Sequence, residues 1–123
     1  MVKRESGVLK VYGLKTCDTC RKALRWLERE GIAHEFIDVR ADGVSKTEIA
    51  RFAKAVGWEK LLNKASTSWR ALGEKEKEGL SESKAVSLMH QYPTLIKRPV
   101  FDGAKSVIAG FREAEMKALK AFK

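Results

Sequence analysis

The chain has 123 residues, 44% of them hydrophobic and 33% charged, with two prolines and two cysteines. That predicts one globular domain, 1–123, able to bury a single core. It excludes a disulfide framework, and no apolar stretch reaches the roughly 20 residues that span a bilayer. Residues 1–6 are basic but are followed by no apolar run of signal-peptide length, so a cytoplasmic protein is expected. The formal net charge of +9 is spread along the chain among glutamates. No helix-turn-helix, zinc finger or aromatic single-strand platform accompanies it, so the charge suits a small anionic substrate better than direct binding to nucleic acid.

Residues 8–12 alternate apolar and polar and are rich in β-branched and aromatic types, with Gly13 behind them: a strand, then a turn. Residues 18–30 follow with an apolar stripe of Cys20, Leu24 and Leu27, flanked by Ala23, and with Gly31 at the C′ place of a helix. Arg21, Lys22, Arg25 and Arg29 lie on its other side. Residues 33–39 read as a second strand. Strand, helix and strand in so short a span make a βαβ unit with parallel strands.

Ser45 and Glu48 form a capping box that opens a helix to about residue 56, with Ile49, Phe52, Ala53 and Val56 on one face. Residues 58–62 and 69–72 read as brief helical turns, separated by a polar loop at 63–68. Ser81 or Ser83 caps a helix to about residue 91 that buries Ala85, Leu88 and Met89, and Pro93 stops it. The stretch 45–92 is thus a helical insertion. Beyond it, residues 95–101 and 105–109 are β-rich runs joined by Asp102 and Gly103, a hairpin signal. A last helix, 112–122, turns Met116, Ala118 and Leu119 inward. The sum, βαβ, insertion, ββα, is α/β: a thioredoxin-like four-stranded mixed sheet with helices packed on it.

Cys17 stands out because it falls at the strand-to-helix turn. The first amides of a helix lack partners and its dipole is positive there, so a thiolate is favoured. Arg21, one turn later, can reach back towards it. Thr16 and Thr19 offer hydroxyls to the same sulfur, and Asp18 either tunes it or simply suits the helix start. Cys20 completes a C-x-x-C motif. Residues i and i+3 share a helix face, so Cys20 can resolve a mixed disulfide on Cys17; equally, it is a small hydrophobe on the apolar stripe. A zinc site needs two further ligands at motif spacing; His34 and His90 stand alone, so no metal is expected. Pro99 forces Arg98 into an extended conformation at a strand start, where its guanidinium either holds an oxyanion or carboxylate or lies on the surface. Trp58 and Trp69 read as packing residues.

Cys17-Asp18-Thr19-Cys20-Arg21-Lys22-Ala23, with Lys97-Arg98-Pro99-Val100 and Gly110-Phe111, resembles the arsenate-reductase-related (ArsC/Spx-like) thioredoxin-fold family over essentially residues 8–120. Trp58-Glu59-Lys60-Leu61-Leu62-Asn63 and Ser68-Trp69-Arg70-Ala71-Leu72 resemble its branch of glutathione-dependent thiol reductases. The resemblance implies Cys17 as nucleophile and Arg98 as anion holder, with Pro99 as a cis proline framing the thiol. It further implies glutathione as co-substrate, or glutaredoxin as partner, with no tightly bound cofactor. It implies an anionic or disulfide small substrate, with Asn63 standing where a second arginine is found in arsenate reductases and Gly110-Phe111 in the region of a third. Cys20 with Arg21 and Lys22 is similar to the Spx branch, whose regulators use C-x-x-C as a redox switch and bind RNA polymerase. Three functions are therefore expected in order: thiol–disulfide reductase, redox-sensing regulator, arsenate reductase.

Overall fold

The computed structural model describes residues 8–123, and the expectation drawn from residues 1–6 lies outside them. The elements run β1 (Leu9–Gly13), α1 (Asp18–Glu30), β2 (His34–Asp38), α2 (Lys46–Val56), α3 (Trp58–Leu61), α4 (Thr67–Arg70), α5 (Glu74–Lys77), α6 (Glu82–Gln91), β3 (Val100–Asp102), β4 (Val107–Ala109) and α7 (Glu113–Leu119). They form two compact units, one of the described residues up to Asp42 with Arg98–Lys123, the other Gly43–Lys97.

The first unit holds a four-stranded sheet in the order β2-β1-β3-β4. β1 pairs in parallel with β2 and antiparallel with β3, and β3 turns back antiparallel as β4. This is the mixed thioredoxin-like sheet the pattern predicts. Its core gathers Leu9 and Val11 from β1, Ala23, Trp26 and Leu27 from α1, then Ile32, Phe101 and Leu119. Helix α1 closes on Gly31, whose φ of 71° is the left-handed conformation that glycine adopts without a Cβ penalty.

Several boundaries differ from expectation, each for a local reason. Gly13 belongs to β1, in register with Asp38. On α1 Leu24 is half-buried, whereas Trp26, absent from the expected stripe, is buried edge-to-face against Phe111, centroids 5.6 Å apart. The run 95–101 is not one strand. Residues Pro93–Leu95 form a 3-10 turn, Ile96 makes an isolated bridge to Leu62, and β3 begins only at Val100. In the last helix Leu119 is buried and Met116 half-buried, but Ala118, two residues after Met116 and so on the opposite face of α7, is exposed.

The second unit is helical. Ser45 accepts from the Glu48 amide at 3.1 Å and Ser81 from the Lys84 amide at 3.2 Å, fixing the starts of α2 and α6. Their buried faces carry Ile49, Phe52 and Ala53, and Ala85, Val86, Leu88 and Met89. Helix α4 starts earlier than the expected turn because Ser66 accepts from the Trp69 amide at 3.1 Å. Helix α5 has no apolar period to announce it. The Glu76 side chain pins it, accepting from the Gly73 amide and the Tyr92 hydroxyl, each at 3.1 Å. Among the described residues no helix is long and apolar enough to cross a membrane.

Candidate active site

The site begins where β1 ends. The Gly13 carbonyl accepts from the Val39 amide at 2.9 Å, and a turn then closes with the Cys17 amide donating to the Leu14 carbonyl at 3.1 Å. That turn is anchored from β2 by Asp38, a carboxylate only 6% exposed. Asp38 accepts from the Lys15 amide at 3.1 Å and from the Arg40 and Ala41 amides at 2.9 Å each. The Lys15 donor ties down the loop that presents the cysteine, and the Arg40 and Ala41 donors close the turn that follows β2.

The Ala41 amide, opposed by burial and assisted by the amides of Lys15 and Arg40, holds the Asp38 carboxyl below the usual carboxylate range. A carboxylate with a lowered folded pKa stabilises the fold above its unfolded value, near pH 4 for aspartate, and loses that stabilisation as pH falls through the lower folded value. Asp38→Ala should therefore cost about 3 kcal/mol at neutral pH, as expected for removing a buried, multiply bonded charge. Urea midpoints across pH check this: the gap between wild type and variant should narrow below about pH 4.

Cys17 is the N-cap of α1, extended at φ −86° and ψ 120°, and half-exposed. No capping hydrogen bond of ordinary geometry forms, but the Cys20 amide faces the sulfur from the third helical position and favours its anion. Arg98 arrives from the other side. Tyr12 pairs with Val100, so the antiparallel register carries the residues before β3 alongside the turn after β1. The Arg98–Pro99 bond is cis, and the Pro99 carbonyl accepts from the Gly110 amide at 2.9 Å. Arg98 hydrogen-bonds the Cys17 sulfur and acts on it as a positive charge. Partial burial opposes ionisation of Cys17, yet the Cys20 amide, the Cys20 thiol and Arg98 outweigh it. The thiol is more acidic than an ordinary cysteine.

Cys20 is the opposite case. It is fully buried, and burial, with the neighbouring Cys17 sulfur, pushes its thiol up to about 12 against the favourable Leu14 amide. At neutral pH it is a thiol, and it donates to Cys17. The two sulfurs of the motif are thus one acid and one hydrogen-bond donor.

Cys17, Cys20 and Arg98 come together. The hydroxyl-bearing Thr16 and Thr19 are exposed. Arg21 does reach back over the turn, but its Nη2 donates to the Thr16 carbonyl at 3.2 Å and sits 3.6 Å from Asp18 Oδ1. Asn63 lies in the other unit, where its carboxamide oxygen accepts from the Ala65 amide at 3.1 Å and shapes a turn. Gly110 and Phe111 have structural work, the ring of Phe111 lying 6.2 Å from that of Phe101. Asp38 was missed because an acidic residue ending a strand carries no local mark of the loop it holds.

The sheet and the helices packed on it define a thioredoxin-like fold, with the acidic Cys17 thiol at the start of α1. The ArsC family matches residues 12–119. A protein of Haemophilus influenzae is 40% identical over 111 residues, covering 90% of this chain and 97% of its own. The solution structure of an arsenate reductase (ArsC) related protein from Brucella melitensis is 38% identical, with a TM-score of 0.72 over 90% of this chain and 92% of that one. The global transcriptional regulator Spx 2 of Lactococcus lactis is 27% identical over 113 residues, 90% of this chain and 85% of its own. The chain belongs to the ArsC family.

Proposed function

We propose that the protein is a thiol–disulfide reductase of the cytoplasm that works through a mixed disulfide on Cys17 and takes glutathione as its thiol donor. The Cys17 thiolate attacks one sulfur of a disulfide R–S–S–R′. The R′ thiolate leaves and takes a proton from solvent, and Cys17 is left joined to R. Glutathione thiolate then attacks the R sulfur, forming a glutathione–R disulfide and returning the Cys17 thiolate. The acidity of Cys17 serves both steps, since a low-pKa thiol is ionised at neutral pH and is also the better leaving group. Arg98 supports the thiolate and suits an anionic group on the substrate. Glutaredoxin would complete the same cycle.

The observation that carries this reading is the contrast between the two sulfurs. Burial is the largest cause of the raised Cys20 pKa. It persists once Cys17 is capped in a mixed disulfide, so Cys20 attacks slowly and an external thiol does the resolving.

Mass spectrometry after exposure to oxidised glutathione tests the point. Wild type and Cys20→Ser should carry one glutathione on Cys17 with lifetimes within about threefold of each other, both shortened by added glutathione. Rapid conversion of the wild-type adduct to a Cys17–Cys20 disulfide, absent in Cys20→Ser, would overturn external resolution. It would favour the second reading, a redox-sensing partner of RNA polymerase, which the Spx relative and the contact between the two sulfurs support. Arsenate reduction is the third reading; it rests on Arg98 as the anion holder.

A further inference from the structure

Gly13 has an ordinary strand conformation, outside the positive-φ region, so its backbone would suit alanine equally well. Space is what distinguishes it. A Cβ built on Gly13 would lie 2.5 Å from the Cys20 sulfur, far inside contact distance, and 3.4 Å from both Cys20 Cβ and the Phe36 ring. The missing side chain is the hole into which the Cys20 sulfur fits. Within that hole the sulfur accepts from the Leu14 amide and its thiol donates to Cys17. That side-chain bond favours the Cys17 anion and holds the Cys20 proton on, as expected when Cys20 is the donor.

We propose that Gly13 is a positioning residue that acts through Cys20: by lacking a side chain it seats the Cys20 sulfur where its thiol hydrogen-bonds the Cys17 thiolate. The inference deepens the reading given above and rests on Cys17 being the reacting thiol. The other groups around that sulfur, the Cys20 amide and the Arg98 guanidinium, come from the backbone of α1 and from the residue before Pro99. Nearby, Asp18 pairs with Arg21 and Asp38 holds the Lys15 amide. None of them is among the three atoms nearest the added Cβ, which belong to Cys20 and Phe36. A methyl group on residue 13 must push the sulfur aside, and the thiolate loses one donor.

The test is the pH dependence of Cys17 alkylation by iodoacetamide in Gly13→Ala, Cys20→Ala and Gly13→Ala/Cys20→Ala, followed by peptide mass spectrometry. This needs no substrate and no turnover. Gly13→Ala and Cys20→Ala should each shift the profile to higher pH and slow alkylation at neutral pH by roughly three- to tenfold, the worth of one weak thiol donor to an anion. The double variant should match Cys20→Ala alone, because without the sulfur the methyl group has room. If Gly13→Ala fails to fold, a double variant that folds with the Cys20→Ala profile still supports the pairing.

A Gly13→Ala profile identical to wild type overturns the inference, as does a double variant whose defects add or which does not fold. Failure of the functional reading looks different: wild-type Cys17 would then titrate like any free thiol.

Discussion

Cys17→Ser should lose thiol–disulfide exchange by a factor on the order of 10⁴ or more while melting with the wild-type transition, as removal of a nucleophile commonly does. The substitution exchanges one atom at the N-cap of α1 and leaves the turn closed by Cys17 and Leu14 and the Asp38 anchor untouched. Serine is itself a good N-cap, so the helix start loses nothing. What disappears is the anion. The Cys20 amide and Arg98 favour a thiolate because a thiol lies within reach of ionisation at neutral pH, which a hydroxyl does not. Glutathione-coupled reduction of a small disulfide measures the loss, and calorimetry the unchanged stability. Activity persisting near wild type would remove Cys17 from the reaction.

The second large effect belongs to Arg98. Arg98→Met keeps an unbranched apolar stem and deletes both the charge and the donor that face the Cys17 sulfur. Losing a charge-assisted hydrogen bond should slow the reaction roughly ten- to a hundredfold at neutral pH. The inflection of the rate profile should move up in pH, because the remaining supports must now offset partial burial of the thiol by themselves. Most of the deficit should vanish at alkaline pH, where wild type and variant are both thiolates. Any loss that survives there measures the grip on an anionic substrate. Arg98→Lys divides the two roles: it returns charge without the two-pronged geometry, so the pH shift should recover more than substrate affinity does. An unchanged profile in Arg98→Met would mean the guanidinium does not support the thiolate.

The parts of the structure legible in the sequence are those whose cause is local. Helix α1 could be read because Gly31 punctuates it and its apolar residues recur at helical spacing; α2 and α6 could be read because Ser45 and Ser81 cap them. Trp26 escaped because its burial depends on Phe111, distant in sequence. Residues 95–101 misled because β propensity says nothing of a partner. The pairing with β1 extends only over Val100–Asp102, and Ile96 bridges to Leu62 instead.

The site divides along the same line. A cysteine at a helix mouth is a local signal, so Cys17 was visible. The juxtaposition of Arg98 with it depends on antiparallel register between β1 and β3, which periodicity cannot supply and which came from resemblance. Gly13 was read as a turn former because glycine after a strand usually is one. Its empty side matters only once α1 has folded back and brought Cys20 against it. Asp38 likewise shows its part only when β2 lies beside β1.

The placement of the tryptophans gives the molecule built-in optical labels. Of the three in the chain, Trp26 is buried against Phe111, while Trp58 and Trp69 are half-buried in the helical unit. The ammonium groups of Lys64 and Lys77 stand 5.7 and 5.2 Å from the Trp69 ring. An indole in an apolar pocket emits to the blue of one near water and cations. Replacing Trp26 by Phe, or Trp58 and Trp69 by Phe, therefore leaves emission that reports on the helical unit or on the sheet that carries Cys17.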